Sequence, residues 1–192
     1  IKDANDDDFI MLSDNDEIPN LDSEDFKKNT NDIVIFNQLF FYFKFNLLYD
    51  RMLWPGTKGC RKKNLKSFSW LRNIKFKKYP IWRIDTYFSN TKYSNLNIIN
   101  DGGWHFTNLK SPEDMFEKFM NFGHHDEFKL SGITVDKIKD KISKREMFYD
   151  HFADKSSKNK WNSDYKLKKI DTDLLPRYLA SNREKYLEWF DL

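Results

Sequence analysis

The stretch Phe9-Ile10-Met11-Leu12 is followed directly by residues 13–19, Ser-Asp-Asn-Asp-Glu-Ile-Pro. Four apolar residues are enough for a short buried strand, and the Asp, Asn and Pro residues after them favour a turn. The carboxylates of Asp14 and Asp16 are therefore expected at the C-terminal edge of that strand, where open α/β sheets place their ligands. Two carboxylates one residue apart can bind one hard cation and leave its other positions for the phosphate oxygens of a nucleotide.

The same turn has a simpler interpretation as solvated surface, because residues 1–32 carry eleven Asp or Glu against three Lys. It is not a calcium-binding EF-hand loop, since the sixth position counted from Asp14 is Pro19, where that loop needs glycine. What distinguishes the turn from ordinary acidic surface is a second group of candidate residues about ninety positions downstream.

Length and composition restrict the class of protein. A chain of 192 residues fits one domain of ordinary size, or part of a larger one, and its 17% aromatic content supplies bulk for a core. A net charge of +3 does not by itself call for a nucleic-acid or membrane partner. Cys60 is the only cysteine, which excludes an internal disulfide. No signal-peptide pattern is visible. The chain has no initiating Met and begins immediately before a predicted central strand, so we expect that its natural N-terminus is missing.

Residues 51–84 contain eleven Lys or Arg and no acid. Aromatic side chains alternate with these cations, which is typical of a platform for single-stranded nucleic acid. Two other interpretations remain open: a solvated basic face over an aromatic core, and a supply of cations that neutralise a bound diphosphate. The aromatic residues concerned are Phe68, Trp70, Phe76, Tyr79 and Trp82.

Hydrophobic periodicity predicts an alternation of strands and helices. Polar residues interrupt the apolar run 33–49, so it predicts two strands, at 33–36 and 41–45, and not a membrane span. Ser111 followed by Pro112 and two acids predicts a helix start. The other predictions are a short helix near 21–28, a break at 54–56, a strand, glycine turn and strand over 97–107, an amphipathic helix around 135–142, a polar loop at 153–169 and a helix over 176–190.

Two groups of residues are candidates for chemistry beside the acidic turn. His105 follows the glycine pair at 102–103, and residues 124–127, His-His-Asp-Glu, stand at the end of the helix that begins at Ser111. Such a run can supply metal ligands or a general base, although it is more commonly surface at a helix terminus. The turns at 14–17 and 102–105 both lie at predicted strand ends, so we expect them to meet at one cleft of an α/β sheet.

Several of these blocks, taken in order, resemble the signature of glycosyltransferase family 17, the family of the β-1,4-mannosyl-glycoprotein 4-β-N-acetylglucosaminyltransferase. The blocks are 14–19 (Asp-Asn-Asp-Glu-Ile-Pro), 54–56 (Trp-Pro-Gly), 101–107 (Asp-Gly-Gly-Trp-His-Phe-Thr), Lys118 and 122–128. The resemblance covers roughly residues 5–150. It departs from the family at Thr107, where Ser is usual, and in the run 124–127, which is one residue longer than the family's His-x-Glu.

The resemblance implies an α/β, GT-A-like nucleotide-sugar transferase fold with a mixed sheet flanked by helices, of which this chain would be the C-terminal part. The domain would span residues 1–152, with the polar loop and C-terminal helix of residues 153–192 packed on it. The reaction would be an inverting transfer of GlcNAc from UDP-GlcNAc to a mannose-containing or related glycan.

The resemblance also implies roles for single residues. Asp14 and Asp16 would bind Mn²⁺ or Mg²⁺ and, through it, the diphosphate of the donor. Trp104 would be a platform for a sugar face, and His105 or His124 a further metal or phosphate contact. The carboxylate that accepts the proton of the acceptor hydroxyl would be Asp101 or Glu127.

Two other functional classes remain open: a nucleic-acid-binding module based on residues 51–84, and a glycan-binding domain without catalysis. The partners that we expect are a UDP-sugar donor and a glycan acceptor, and we expect no nucleic acid. We also expect no transmembrane segment in this chain. The abundance of Lys, Asn, Ile and Phe suggests an AT-rich genome. That composition favours a bacterial or viral source and a cytoplasmic location, whereas a eukaryotic member would work in the Golgi lumen.

Overall fold

The computed structural model describes residues 1–121, 123, 125–153, 160–161 and 163–192. Its strands are β1 (Phe9–Leu12), β2 (Glu17–Pro19), β3 (Ile33–Tyr42), β4 (Leu47–Leu48), β5 (Trp54–Arg61), β6 (Leu96–Ile99), β7 (Gly103–Thr107) and β8 (Lys168–Lys169). Its α-helices are α1 (Glu24–Lys27), α2 (Phe68–Asn73), α3 (Pro112–Met120), α4 (His125–Leu130), α5 (Val135–Ser143) and α6 (Arg177–Ser181). Short 3₁₀ helices lie at Lys62–Asn64, Ile84–Thr86, Thr172–Leu174 and Arg183–Trp189. The chain divides into two compact units, residues 1–39 with 52–105 and residues 40–51 with 106–192.

The first unit is organised around β3, which lies between β5 and β6. Ile33 of β3 is opposite Cys60 in the antiparallel pairing with β5 and opposite Leu96 in the parallel pairing with β6. β1 pairs antiparallel with β5, and β2 pairs antiparallel with β7. The combination of a parallel pair with antiparallel pairs, flanked by helices, confirms the predicted α/β class with a mixed sheet.

The apolar run at the start of β3 is buried on both faces of the sheet, which is why it contains no polar alternation. Ile35 packs in one cluster with Leu71 of α2. Phe36, on the opposite face, lies with its ring centroid 5.2 Å from that of Phe26 in α1. One central strand thus anchors a helix on each side of the sheet.

Three strand predictions need correction. The two strands predicted over 33–45 are one strand, β3, which passes an irregularity between Ile35 and Asn37 and ends before Phe43, whose φ is 65°. The predicted break at 54–56 is the beginning of β5. β1 is only half-buried because it lies at the edge of its sheet, whereas four apolar residues suggested an interior strand. Among the described residues, no helix has both the length and the apolarity needed to cross a membrane.

The second unit contains the helix predicted from the capping signal at Ser111 and the helix predicted from the amphipathic pattern around 135–142. Ser111 caps α3 by accepting a hydrogen bond from the amide of Asp114 at 3.1 Å, and Thr134 caps α5 in the same way. The apolar faces of these helices are buried through Met115 and Ile138, each with no exposed surface. The predicted helices over 111–122 and 135–142 are confirmed over their described residues.

Two other predictions in the second unit are wrong in detail. The run 124–127 was expected to end a helix, but α4 begins at His125, so the carboxylates there occupy a first helical turn, where acidic groups are favoured. The single helix predicted over 176–190 is α6 followed by a 3₁₀ segment with non-helical dihedrals at Tyr186. Seven of the seventeen residues of the predicted polar loop at 153–169, namely 154–159 and 162, lie outside the described residues.

The buried thiol of Cys60 is expected to make the stability of the protein depend on pH. The side chain is fully buried on β5, and burial raises the pKa of its thiol from 9.0 to about 11. A group whose pKa is raised by folding contributes stability below its unfolded pKa and loses that contribution as the pH rises through the folded pKa. We therefore expect the free energy of unfolding, relative to a Cys60→Ala variant, to fall by about 2 kcal/mol between roughly pH 9 and pH 11.

Urea denaturation of both proteins across this pH range measures that difference. The comparison with Cys60→Ala removes the contributions of lysines and tyrosines that titrate in the same range. A difference between the two proteins that stays constant from pH 8 to pH 11 would contradict the prediction.

Candidate functional site

The acidic turn between β1 and β2 is held in place by hydrogen bonds. The hydroxyl groups of Ser13 and Thr57 are 2.7 Å apart, which ties the turn to β5. Within the turn, the amide of Asp14 donates to Glu17 Oε2 at 3.1 Å, and the amide of Glu17 donates to the carbonyl of Asp14 at 3.1 Å. The turn proper is therefore residues 13–16, one residue shorter at its end than the predicted 14–17, because Glu17 begins the unpredicted strand β2 (Glu17–Pro19).

The pairing of β2 with β7 joins the two predicted motif regions. Glu17 is opposite His105 in this antiparallel register, and Pro19 is opposite Gly103. Asp16 Oδ2 lies 3.2 Å from His105 Nε2, and the His105 side chain is buried. The regions 14–17 and 102–105 thus meet, as expected, and they do so by backbone pairing. The expected shared cleft is not shown, since residues 102–105, all of which the structure describes, do not line the cleft described below.

Trp54, the first residue of β5, connects the turn to His105. Its indole is stacked on the His105 ring with centroids 4.5 Å apart and an interplanar angle of 23°. Its Nε1 donates to Glu17 Oε1 at 2.9 Å. Because the other carboxylate oxygen of Glu17 accepts from the amide of Asp14, the Glu17 side chain is oriented by two donors.

Two cations of residues 51–84, Lys58 and Arg72, lie near the carboxylates of Asp14 and Glu17. Arg72, near the end of α2, forms an ion pair with Asp14, and both partners are more than half exposed. Lys58 donates from Nζ to the carbonyls of Arg72 at 2.5 Å and Ile74 at 2.7 Å, which satisfies the C-terminal carbonyls of α2. Burial lowers the pKa of the Lys58 ammonium group, and the nearby Glu17 carboxylate partly opposes this shift.

These groups line an open cleft of about 190 Å³ in the first unit. The volume is below the range of typical small-molecule pockets, about 300–1,000 Å³, so the cleft fits part of a ligand, such as one or two phosphate groups, and not a whole nucleotide. Its lining combines cations, carboxylates and an indole: Leu12, Asp14, Glu17, Trp54, Pro55, Gly56, Lys58 and Arg72.

The carboxylates of the turn partly satisfy the requirements of a divalent cation. Over the described ranges, no three His, Cys, Asp or Glu side chains are grouped so as to hold a metal ion. Asp14 and Asp16 supply hard oxygen donors one residue apart, and Mg²⁺ is commonly bound by one or two carboxylates together with substrate phosphates. The residues therefore fit a cation that is bound jointly with a phosphate ligand, and they do not form a protein-only metal cage.

The structure describes three of the four remaining candidate residues. Asp101 is exposed and accepts a hydrogen bond from Asn20 Nδ2 at 2.9 Å, at the end of the β2–β7 pairing that is remote from His105. Trp104 follows Gly103 on β7, opposite Ile18, and successive strand residues face opposite sides of the sheet, so Trp104 and His105 face different sides. Glu127 lies in α4 of the second unit, where it pairs with Lys160. His124 lies outside the described residues.

Lys58 and Arg72 were not predicted as site residues, and Trp54 was predicted only as part of a motif. A signal existed for Trp54, since the Trp-Pro-Gly block belongs to the pattern that the chain resembles. Nothing local distinguished Lys58 and Arg72 from the other nine cations of residues 51–84, because their role follows from the packing of α2 beside β5.

The chain matches no protein-family model, no curated protein and no solved structure.

Proposed function

We propose that this protein is a metal-dependent inverting glycosyltransferase that resembles glycosyltransferase family 17 and transfers GlcNAc from UDP-GlcNAc to a mannose-containing or related glycan. One observation carries the proposal. The blocks on which the resemblance rests are far apart in sequence, yet Asp16, His105 and Trp54 are in direct or stacked contact around one turn. We correspondingly propose a GT-A-like fold, in which the donor site includes the carboxylate motif at the end of a strand.

Asp14 and Asp16 would hold Mn²⁺ or Mg²⁺ together with the diphosphate of the donor. The cation, when bound, supplies Lewis-acid stabilisation of the charge that develops on the departing UDP. Asp14 now pairs with Arg72, and an ion pair between exposed side chains contributes at most about 1 kcal/mol, so a divalent cation can displace it at small cost.

The released Arg72 side chain would then contact the diphosphate, because guanidinium groups bind phosphate oxygens through paired N–H donors. Lys58 fixes the end of α2 that carries Arg72 and adds positive charge to the cleft. Glu17, which is held by Trp54, fixes the backbone of the turn at Asp14, whose amide donates to the Glu17 carboxylate.

The group that accepts the proton of the acceptor hydroxyl is proposed to be Asp101 or Glu127, as the resemblance implies. Trp104 is proposed as the platform for a sugar face, as the resemblance implies; the residue is half-buried on β7, on the side of the sheet opposite to His105. His124 remains a proposed metal or phosphate contact because the resemblance implies that role.

Isothermal titration calorimetry tests the donor site directly. UDP-GlcNAc and UDP are titrated into the protein with about 1–5 mM Mn²⁺ or with EDTA. Both are expected to bind only in the presence of the metal, because the proposed cation is held jointly by the carboxylates and the phosphate groups. A related sugar nucleotide without UDP, such as GDP-mannose, serves as the ligand control. Binding of free glycans without binding of any nucleotide would favour a non-catalytic glycan-binding domain instead.

Arg72 gives a more specific prediction. An Arg72→Gln variant is expected to bind UDP in Mn²⁺ about tenfold more weakly, because a charge-assisted hydrogen bond to phosphate is lost. Arg61→Gln is the matched control, since Arg61 lies in the same unit and its Nη1 donates to the carbonyl of Asp7. If Arg72 only competes with the metal for Asp14, the Arg72→Gln variant will bind UDP more tightly than the wild type, and the assigned role will be wrong.

A further inference from the structure

Residues 79–93 of the first unit form a loop whose tip is unusually apolar for an exposed segment. Within eight consecutive positions, five large apolar or aromatic side chains are 70 to 86% exposed. Isolated exposed apolar residues are ordinary, whereas a contiguous group of this kind marks an interaction surface. We call this group the apolar tip; it comprises Ile81, Trp82, Ile84, Tyr87 and Phe88.

The loop is closed at its base and braced internally. Lys78 and Tyr93 form a parallel bridge, and the amide of Lys75 donates to the carbonyl of Thr91 at 2.8 Å. Across the tip, the hydroxyl of Tyr87 donates to the carbonyl of Ile81 at 3.1 Å. The two ends of the loop are thus joined to each other, and the apolar tip is a folded projection with a defined conformation.

Cations surround the base of the loop. The ring of Tyr79, which is buried, has Lys77, Arg83 and Lys92 within 6 Å of its centroid, at 5.7, 5.3 and 5.9 Å. The single acid of residues 75–93 is Asp85, which pairs with both Arg83 and Lys92. Residues 75–93, the loop and the segment that leads into it, therefore carry five Lys or Arg against one Asp, a net positive charge beside the apolar tip.

We propose that this loop binds the surface of a membrane that contains anionic lipid, with the apolar tip inserted among the lipid headgroups and upper acyl chains. Trp and Tyr are enriched at membrane interfaces, and lysine and arginine side chains extend toward phosphate-bearing headgroups while apolar neighbours are buried. Such peripheral binding combines buried apolar area with attraction to anionic lipid. This inference is independent of the proposed transferase activity.

Two other occupants fit the same surface less well. Bases of single-stranded nucleic acid stack on aromatic rings, but Ile81 and Ile84 belong to the tip and offer no ring for stacking. A second copy of the chain would bring the same cationic base against itself, and like charges in apposition oppose association. An anionic surface complements both the apolar tip and the charge.

Vesicle flotation tests the proposal. The protein is expected to float with vesicles of 70% phosphatidylcholine and 30% phosphatidylserine, and its partition coefficient is expected to fall at least about tenfold in a Trp82→Ser/Phe88→Ser double variant. Partition is also expected to be weaker with pure phosphatidylcholine and at 0.5 M NaCl, where surface electrostatics are screened. The matched control is Leu130→Ser/Tyr178→Ser, which removes two exposed apolar side chains of the second unit.

Fluorescence gives a second readout that does not depend on flotation. Trp82 emission, taken as the difference between the wild type and a Trp82→Phe variant, is expected to shift to shorter wavelength with anionic vesicles and to be quenched by brominated lipid. The proposal is overturned if neither vesicle type binds, or if the double variant binds as well as the wild type. It is also overturned if the tip instead mediates salt-sensitive oligonucleotide binding, or self-association detected by light scattering that the double variant abolishes.

Discussion

Replacing Asp16 by alanine is expected to weaken the Mn²⁺-dependent binding of UDP-GlcNAc by at least about a hundredfold, which corresponds to about 2.8 kcal/mol. Asp16 lies in the turn beside the cleft, with its Oδ2 3.2 Å from His105 Nε2. Its removal takes away one of the two proposed metal ligands and a partner of a buried ring at the same time. Calorimetric titration with and without Mn²⁺ measures the loss.

Asp16→Asn separates these two roles. The amide keeps the size and a polar contact with His105 but no longer carries the negative charge that a divalent cation requires. We expect Asn to lose metal-dependent binding nearly as fully as Ala while it keeps a wild-type midpoint of thermal unfolding. Asp25→Ala is the control for a general effect of removing acid, because Asp25 is an exposed residue of α1 in the same acidic region.

The outcome is informative in each direction. Binding that requires Mn²⁺ and survives both substitutions at Asp16 would remove Asp16 from the donor site. Equal destabilisation by Ala and Asn, with loss of binding only in proportion to the unfolded fraction, would give Asp16 a structural role.

Gly103→Ala is expected to destabilise the protein by about 3 kcal/mol or more. Gly103 has φ of +107°, a conformation that residues with a Cβ rarely adopt. A Cβ there would stand 2.2 Å from the carbonyl oxygen of Ile18 and 2.6 Å from the amide nitrogen of Asn20. One of these backbone atoms belongs to β2 and the other to the residue directly after it. The substitution must therefore move β2 away from β7, which also separates Glu17 from His105.

Other glycines of the same chain supply graded controls for this measurement. Gly132 has φ of +65° and open space around a Cβ, so Gly132→Ala isolates the backbone strain, expected at about 1 kcal/mol. A Cβ at Gly123 would meet nothing within 4 Å, so Gly123→Ala should be close to neutral. Gly102→Ala isolates the steric effect, since its Cβ would lie 2.3 Å from the amide nitrogen of Asn37.

Urea denaturation of the four variants gives the free energy of unfolding for each. A Gly103→Ala variant no less stable than Gly132→Ala would show that β2 and β7 can separate freely, which contradicts the tight register. We also expect Gly103→Ala to lose the metal-dependent nucleotide binding proposed for the site, because Asp16 is held beside His105 by this pairing.

Much of the fold could be predicted from sequence because the signals are local. The uninterrupted apolar run at the start of β3 predicted a buried strand, and Ser111 before Pro112 predicted a helix start by capping chemistry. The glycine pair at 102–103 predicted a turn between two strands, and the structure has β6 before that turn and β7 beginning at Gly103. Errors arose where the local pattern was short or ambiguous, as in β2, which has three residues, and in the alternation after Phe41, which ends at the positive φ of Phe43.

The candidate site was predictable only in part. The sequence by itself determined the acidic turn, the strand that carries His105, and the expectation that they meet, because each depends on residue types at fixed spacing. Only the tertiary structure decided that Glu17 and His105 are opposite each other, that Trp54 stacks on His105, and that Arg72 reaches Asp14. Strand register and helix packing are set by the burial of many distant side chains at once, and no short stretch of sequence contains that information.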